Sequence, residues 1–292
     1  MTFYFLGLAI LAAFPFCKIT LARQPLWSFL LLICLCFAFK EKHINVMGLA
    51  NLTCYFALYY AALNIKQVRL SRLFSCVFIA ASVALALHLV PGFNNLPIII
   101  NEPISQDAIT YTLYANIDKG IAGLLLAAYC FRKLNSSTTT EKSINVSHAH
   151  WQSVKQPLLV IGCTISATLI GAVLLGLVAF KPKVPDFWFE FIAINLLFTC
   201  VAEEALFRGV LQSKLSKLLS PTRIPILAPI IVASIFAVAH FIGGLNYVLV
   251  SAIAGLGYGY IFYKTQRLEW AILCHWLVNL CHFFLFTYPM LK

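Results

Sequence analysis

Ten apolar runs, separated by short polar stretches, decide what this chain of 292 residues can fold into. They cover residues 2–17, 25–39, 46–63, 73–91, 110–131, 157–180, 188–218, 225–242, 246–263 and 269–287. Most approach the roughly 20 residues that an α-helix needs to cross a bilayer. The sequence therefore predicts an all-α fold, a polytopic transmembrane helix bundle of about eight to ten spans.

Composition and charge support a multi-pass integral membrane protein. The chain is 61% hydrophobic and 11% charged, with a mean hydropathy of +0.88, and no soluble globular domain needs that much apolar surface. The net charge of +11 is spread over short loops, which favours a lipid bilayer and argues against nucleic acid as a partner. The first run lacks a basic flank and a cleavage site, so we expect it to be retained.

The ten cysteines lie in or beside apolar runs, and no C-x-x-C pair occurs. We therefore expect small buried hydrophobic residues at these positions, and neither a disulfide framework nor a cysteine zinc site.

A polar stretch over residues 132–156, rich in Ser, Thr, Asn and Lys, predicts a linker. It divides an N-terminal transmembrane half of unassigned role, residues 1–131, from a C-terminal half, residues 157–292, which contains every strong motif. A second polar interruption, residues 91–119, lies inside the first half. We find no internal repeat, so an inverted-repeat transporter has no support.

Three polar clusters lie inside apolar runs of the second half. A charged side chain at the bilayer centre costs roughly 2.5–3.5 kcal/mol, so partners inside the bundle must compensate for it. Such residues are functional candidates by default. The clusters are Glu203-Glu204 with Arg208, Phe236 with His240, and His275 with Asn279.

Helical spacing separates the two glutamates. Glu204 and Arg208 are four residues apart, so on an α-helix they share a face and can form an ion pair with a structural, supporting role. Glu203 lies about 100° around the helix and has no cation three or four residues away on its own helix. An unpaired carboxylate suits a general base, so Glu203 is the better candidate for chemistry. Helix packing by both glutamates is the alternative.

Counting along the helices places His240 at the same depth as Glu203, roughly 22–24 Å from their shared hairpin. His275 and Asn279 share a face, and His282 continues that stripe. An imidazole beside an amide offers two donors to an oxyanion, and the same pair could join Glu203 and His240 in binding a metal. His275 comes out shallower than Glu203 and His240 by roughly 10 Å.

Two further groups of residues have a structural and a functional interpretation. Gly255, Gly257 and Gly259 would let another helix or a substrate backbone approach closely, or serve plain packing. Polar residues around His88, Asn95 and Asp118 could shape a vestibule, although ordinary loop caps explain them as well.

The order and spacing of these motifs, EExxxR, FxxxH and HxxxN, resembles the CPBP family of intramembrane endopeptidases, which includes type II CAAX prenyl proteases. The stretch Lys264-Thr-Gln-Arg-Leu-Glu-Trp-Ala-Ile-Leu-Cys-His275 is also similar to the family's approach to its last motif. The resemblance covers residues 157–287. It implies that Glu203 activates a water with help from His240, that His275 and Asn279 bind the oxyanion, and that Glu204 and Arg208 fill the remaining motif positions.

The chain has neither H-E-x-x-H nor H-x-x-E-H. We therefore favour a mechanism without a metal cofactor, with zinc on Glu203, His240 and His275 as the minor option.

These observations predict a glutamate-type intramembrane peptidase, a hydrolase acting on a membrane-embedded or lipidated peptide or protein. The competing hypothesis is a non-catalytic immunity or scaffold protein, or a transporter, on the same bundle. A scaffold would be expected to have lost at least one of the four candidate catalytic residues. All are present: Glu203, His240, His275 and Asn279.

Overall fold

The computed structural model describes residues 1–140, 154–220, 224 and 226–292, and helices dominate this part of the chain. The helices before the polar stretch are α1 (Thr2–Ala13), α2 (Leu26–Lys40), α3 (Val46–Asn64), α4 (Val68–Ala86) and α5 (Ile117–Thr140). The helices after it are α6 (Lys155–Leu174), α7 (Trp188–Ile194), α8 (Val201–Glu204), α9 (Ser213–Leu219), α10 (Leu227–Ala239), α11 (Leu245–Thr265) and α12 (Leu268–Leu285). The predicted all-α fold is confirmed.

The apolar runs locate most helices to within a few residues. In the described part of the chain, α3, α4, α6, α11 and α12 are long and apolar enough to cross a membrane. Helices α1, α2 and α10 are apolar but shorter. Five helices of the described part thus qualify as spans by length, and the predicted number of eight to ten stays a prediction.

Two small antiparallel elements interrupt the helices. Strands β1 (Thr20–Leu21) and β2 (Gln24–Pro25) pair between α1 and α2. Strands β3 (Leu96–Glu102) and β4 (Tyr111–Ala115) form a second two-stranded sheet. The predicted start of a span at residue 110 is therefore wrong: a strand comes first, because the β-branched and aromatic residues here suit a pleated backbone.

The predicted linker is too long at its N-terminal end. Helix α5 continues to Thr140, so residues 132–140 extend a helix. Helix α6 already begins at Lys155, and residues 141–153 lie outside the described part of the chain.

The predicted span over residues 188–218 is helical from α7 to α9, but it is not α-helical throughout. Two π-helical segments, Asn195–Cys200 and Ala205–Gln212, flank the short helix α8. In a π-helix each N–H bonds to the carbonyl five residues earlier, so a turn contains more residues than in an α-helix. Such segments are rare and frequently lie at functional sites. No pattern in the sequence predicted these segments.

The described residues cluster into two units. The first draws on residues 1–98, 114–140 and 197–205, and the second on the rest. They differ from the predicted contiguous halves, because residues 99–113 cluster with the second unit and residues 197–205 with the first. The functional division of the chain stays a prediction.

Within the first unit, α5 is a core helix. All residues from 120 to 131 are buried, as expected of a helix that is apolar around its whole circumference. Helix α5 packs against α1, α4 and α8. It therefore adjoins the helix that carries Glu203.

Within the second unit, α11 packs against α6, α10 and α12, and α12 also packs against α6. After α12 the chain continues in extended conformation, with Phe286 bridging to Phe180 and Leu291 to Ala108. His240 directly follows α10 of this unit, and His275 lies on α12.

Candidate active site

Glu203 forms an ion pair with a lysine from another helix of the first unit. The Nζ atom of Lys119, at the start of α5, lies 3.0 Å from Glu203 Oε1. The two side chains are only 19% and 21% exposed. The expectation of an unpaired Glu203 is therefore wrong, because it considered only cations on the same helix. The expectation that compensation comes from inside the bundle is confirmed.

A glycine allows α5 and α8 to approach closely. A Cβ atom built at Gly123 would lie 2.9 Å from the Cβ atom of Ala202 and 3.1 Å from its Cα atom. Any side chain at this position would push the two helices apart, because these separations are shorter than ordinary carbon contacts. Glycine at this point thus brings α5, with Lys119 one turn earlier, within reach of Glu203.

Glu204 and Arg208 are both fully buried. Arg208 donates from Nη2 to the carbonyl of Gly255 at 3.0 Å, and its guanidinium carbon lies 4.7 Å from the ring centre of Phe236. These contacts support a structural role for Arg208. The ion pair with Glu204 stays a prediction.

Gln212 was not predicted from the sequence, and it repeats the contact of Arg208 four residues later. The buried Gln212 side chain donates from Nε2 to the carbonyl of Gly259 at 2.8 Å. Arg208 and Gln212 have the same spacing as their acceptors, Gly255 and Gly259. That matched spacing is a signal that could have identified the pair of contacts.

His240 directly follows α10 and begins a short 3₁₀ turn, Phe241–Gly243. Its Nδ1 atom lies 2.7 Å from the carbonyl oxygen of Phe236, four residues earlier. A carbonyl only accepts hydrogen bonds, so Nδ1 carries the proton of the neutral ring. Nε2 then keeps its lone pair and can accept a proton, which suits a residue that assists a water molecule.

His275 and Asn279 lie on α12, which is α-helical throughout. The His275 ring is 4% exposed and stacks on Tyr258, with ring centres 4.6 Å apart. Asn279 donates from Nδ2 to Oδ1 of Asn195 at 3.2 Å. Asn195 is the first residue of the first π-helical segment. A ring stack therefore holds the histidine and a side-chain hydrogen bond holds the asparagine.

His240, His275 and Asn279 line one cavity of about 70 Å³ in the second unit. His282 lines it too, so the predicted stripe on α12 does face a common space. The ring of Phe236 lies 4.5 Å from that of His240 and 5.7 Å from that of His275. His275 was expected to lie shallower in the bundle than His240, but the two side chains line the same cavity. A cavity of this size has room for water molecules.

The other walls of the cavity are largely apolar. They include Leu169, Ala172, Val178, Val250, Ala254 and Val278. Apolar walls lower the local dielectric constant and so strengthen hydrogen bonds and charge interactions inside the cavity. Glu203 belongs to the first unit, and its convergence on this cavity stays a prediction.

The glycines of α11 allow close helix packing, as their spacing predicted. A Cβ atom built at Gly257 would lie 2.2 Å from Oγ1 of Thr164 on α6. One built at Gly255 would lie 3.1 Å from the ring of Phe236 on α10. The interpretation as plain packing therefore accounts for Gly257.

In the part of the chain that the structure describes, no three His, Cys, Asp or Glu side chains are grouped to hold a metal ion. The dependence on zinc, for which Glu203, His240 and His275 are the candidate ligands, is a question for experiment.

Comparison with known proteins gives one match. Residues 185–281 match the model of the Rce1-like family, described as type II CAAX prenyl endopeptidases. This part of the chain is similar to the Rce1-like family. The match confirms the resemblance to CPBP endopeptidases and implies a protease. Comparison with curated proteins and with solved structures gives no match.

The Rce1-like region contains all four candidate catalytic residues: Glu203, His240, His275 and Asn279. This match and the five long apolar helices among the described residues show that the chain is a multi-pass integral membrane protein.

Proposed function

We propose that the protein is an intramembrane endopeptidase that hydrolyses a peptide bond of a membrane-associated or hydrophobic peptide. The observation that carries this proposal is the Rce1-like match, whose 97 residues, 185–281, include all three motifs. The cavity that brings together His240, His275 and Asn279 supports it independently.

In the proposed mechanism the carboxylate of Glu203 takes a proton from a water molecule, and the resulting hydroxide attacks the scissile carbonyl carbon. Negative charge develops on the carbonyl oxygen, where His275 and Asn279 donate hydrogen bonds. The C–N bond then breaks as the protonated Glu203 gives that proton to the leaving nitrogen and returns to its carboxylate form. His240, whose Nδ1 bonds to a carbonyl, accepts a hydrogen bond from the water through Nε2.

The substrate class follows from the surroundings of the cavity and from the family. The walls are largely apolar, and the protein lies in the membrane, which favours a peptide that partitions into a bilayer. The matched family is described by its action on CAAX prenyl substrates. We therefore propose a lipid-modified or membrane-embedded peptide as substrate.

The decisive experiment uses the purified full-length chain in liposomes. Three fluorogenic peptides are compared: a farnesylated CAAX-type peptide, the same peptide without the lipid, and a hydrophobic membrane-spanning peptide. We expect cleavage of at least one membrane-bound peptide and none of the unmodified one, with the cleaved bond assigned by mass spectrometry.

Glu203→Gln should abolish cleavage, whereas Glu190→Gln, an exposed glutamate in α7, should leave it unchanged. Wild-type protein that binds such peptides without cleaving any of them would instead support the non-catalytic scaffold. An active Glu203→Gln variant would overturn the proposed mechanism.

Metal dependence is tested on the same preparation. If Glu203 activates water directly, long incubation with EDTA or phenanthroline should barely slow cleavage. A zinc enzyme would lose activity with the metal and regain it when zinc is returned. Direct metal analysis of the purified protein, before and after chelation, separates these outcomes. Stoichiometric zinc that tracks activity would overturn the metal-free mechanism.

A further inference from the structure

We propose that Lys119 is a positioning residue that fixes the carboxylate of Glu203 for proton abstraction. This inference rests on the proposed function, in which Glu203 is the general base. Lys119 lies outside all three motifs and outside the Rce1-like region, 84 residues before Glu203.

The first support is the enclosure of the ion pair. The Nζ atom of Lys119 lies 3.0 Å from Oε1 of Glu203, and both side chains are about four-fifths buried. The pair between Lys181 and Asp107 has a similar distance, 3.1 Å, but its side chains are 38% and 71% exposed. Solvent competes for an exposed pair, and holding two long side chains there costs entropy. The enclosed pair is more strongly coupled and keeps a defined geometry.

The second support is how firmly the start of α5 is held. Asp118, 1% exposed, accepts a hydrogen bond from the backbone N–H of Lys119 at 2.9 Å through Oδ1. Its Oδ2 atom lies 2.8 Å from Nδ1 of His88. Asn95 accepts from the backbone N–H of Ile117 at 2.8 Å. The polar residues that could be read as a vestibule thus cap α5 and fix the backbone that carries Lys119.

The third support is the close packing of α5 against α8 at Gly123 and Ala202. A packed contact one turn from Lys119 limits how far its backbone can move relative to Glu203. The lysine is therefore held by caps on one side and by helix packing on the other. Such support is what a catalytic group requires, because a misplacement of about 1 Å can cost about 10²-fold in rate.

The competing explanation is charge compensation alone, which any buried carboxylate needs. The two explanations differ in what a substitution does to folded protein. A purely structural lysine affects stability and leaves turnover per folded molecule unchanged. A positioning lysine affects turnover, while substrate binding stays close to normal.

The test measures kcat and KM per folded molecule in liposomes, together with Tm in detergent. Lys119→Met should lower kcat by about 10- to 100-fold with KM nearly unchanged. Lys119→Arg, which keeps the cation, should recover a large part of kcat. Lys181→Met, the exposed control, should change neither. Unchanged kcat in folded Lys119→Met protein would overturn the proposal, as would an Arg variant no better than the Met variant.

If Lys119→Met does not fold, Lys119→Gln is measured instead. The glutamine amide still donates a hydrogen bond but has no charge. We expect a kcat between those of the wild type and an inactive variant. A wild-type kcat for Lys119→Gln would contradict the need for the cation.

A double-mutant cycle on Tm separates this inference from the proposed function. Glu203→Gln and Lys119→Met should each lower Tm, and the double variant should be more stable than either single variant. If the Tm values show that Glu203 and Lys119 are coupled but the wild type cleaves no peptide, the proposed function fails. Coupling with normal turnover in Lys119→Met would mean that only the positioning role fails.

Discussion

Two helical regions carry three of the candidate catalytic residues, Glu203 on one and His275 with Asn279 on the other, and they position them by different means. Helix α12 is a regular α-helix, and His275 and Asn279, four residues apart, line the same cavity. The stretch from α7 to α9 contains two π-helical segments, and its charged residues contact different helices. Glu203 pairs with α5, whereas Arg208 bonds to α11.

The two regions differ in the charge of the side chains that they place inside the bundle. The residues on α12 are an imidazole and an amide, and a stacked ring and one hydrogen bond hold them in place. The glutamate stretch carries charged groups, and each needs an opposite charge or several hydrogen-bond partners inside the bundle. We therefore expect substitutions on the glutamate stretch to reduce stability and those on α12 to reduce mainly activity.

The largest expected effect is on stability, at Arg208. Arg208→Met removes a fully buried cation, its hydrogen bond to Gly255 and the predicted partner of Glu204. We expect the free energy of unfolding to fall by about 3–5 kcal/mol. Chemical denaturation in detergent measures this value.

The matched control is Arg267→Met, at the start of α12. Arg267 is 62% exposed and pairs with Glu269 at 3.5 Å. Its loss should cost less than about 1 kcal/mol. If both substitutions lowered the free energy of unfolding equally, the glutamate stretch would not depend on its buried charge more than the start of α12 depends on its exposed one.

The second prediction concerns activity on α12. Asn279→Ala removes a proposed oxyanion donor and should lower kcat by about 10²–10³-fold, with Tm close to that of the wild type. Asn195→Ala removes only the side chain that accepts from Asn279, so its loss of kcat should be smaller. Steady-state kinetics in liposomes measures both. A larger effect at Asn195 would mean that the π-helical segment, and not α12, contributes the donor.

Much of the fold follows from the sequence. The run 25–39 became α2 (Leu26–Lys40), and the run 46–63 became α3 (Val46–Asn64). Polar residues at the ends of an apolar run fix where a membrane helix ends, so composition alone sets these bounds. The shared face of His275 and Asn279 was also predictable, because α12 keeps the regular α-helical period.

The rest depends on tertiary contacts that no local pattern encodes. Lys119 and Glu203 are 84 residues apart, so no spacing rule connects them. The strand β4 precedes α5 in what reads as one apolar run, because aromatic and β-branched residues serve both structures. The sequence around Glu203 contains no proline or other local signal for the π-helical segments.

The third prediction tests the close approach of α5 to the glutamate stretch. Gly123→Ala places a methyl group 2.9 Å from the Cβ atom of Ala202, so the helices must separate. Overpacking of this kind should cost about 1–3 kcal/mol and lower kcat, because it moves Lys119 away from Glu203. Gly162→Ala in α6 is the matched control, since a Cβ atom there meets nothing within 4 Å. Equal thermal stability of the two variants would show that the contact at Gly123 is not tight.

The smallest expected effect is a pH dependence at the end of α12. Lys183 is half-buried and donates to the carbonyl of Phe286, and burial, with the nearby Lys181, lowers the pKa of Lys183 from 10.5 to about 8. Between these two values the unfolded chain binds more protons than the folded one, so stability rises with pH. The penalty for the charged lysine is complete below pH 8 and disappears as the pH approaches 10.5. Solvent screening limits the gain to about 1 kcal/mol.

The change in Tm between pH 7 and pH 9.5 measures this effect, with the wild type and Lys183→Met compared so that other titrating groups cancel. We expect the wild type to gain stability relative to Lys183→Met over this interval. The exposed Lys181→Met variant should keep most of the dependence, because Lys181 contributes less than burial does to the lowered pKa. Identical pH profiles for wild type and Lys183→Met would place the lysine in water, and the end of α12 would then be less enclosed than its contacts indicate.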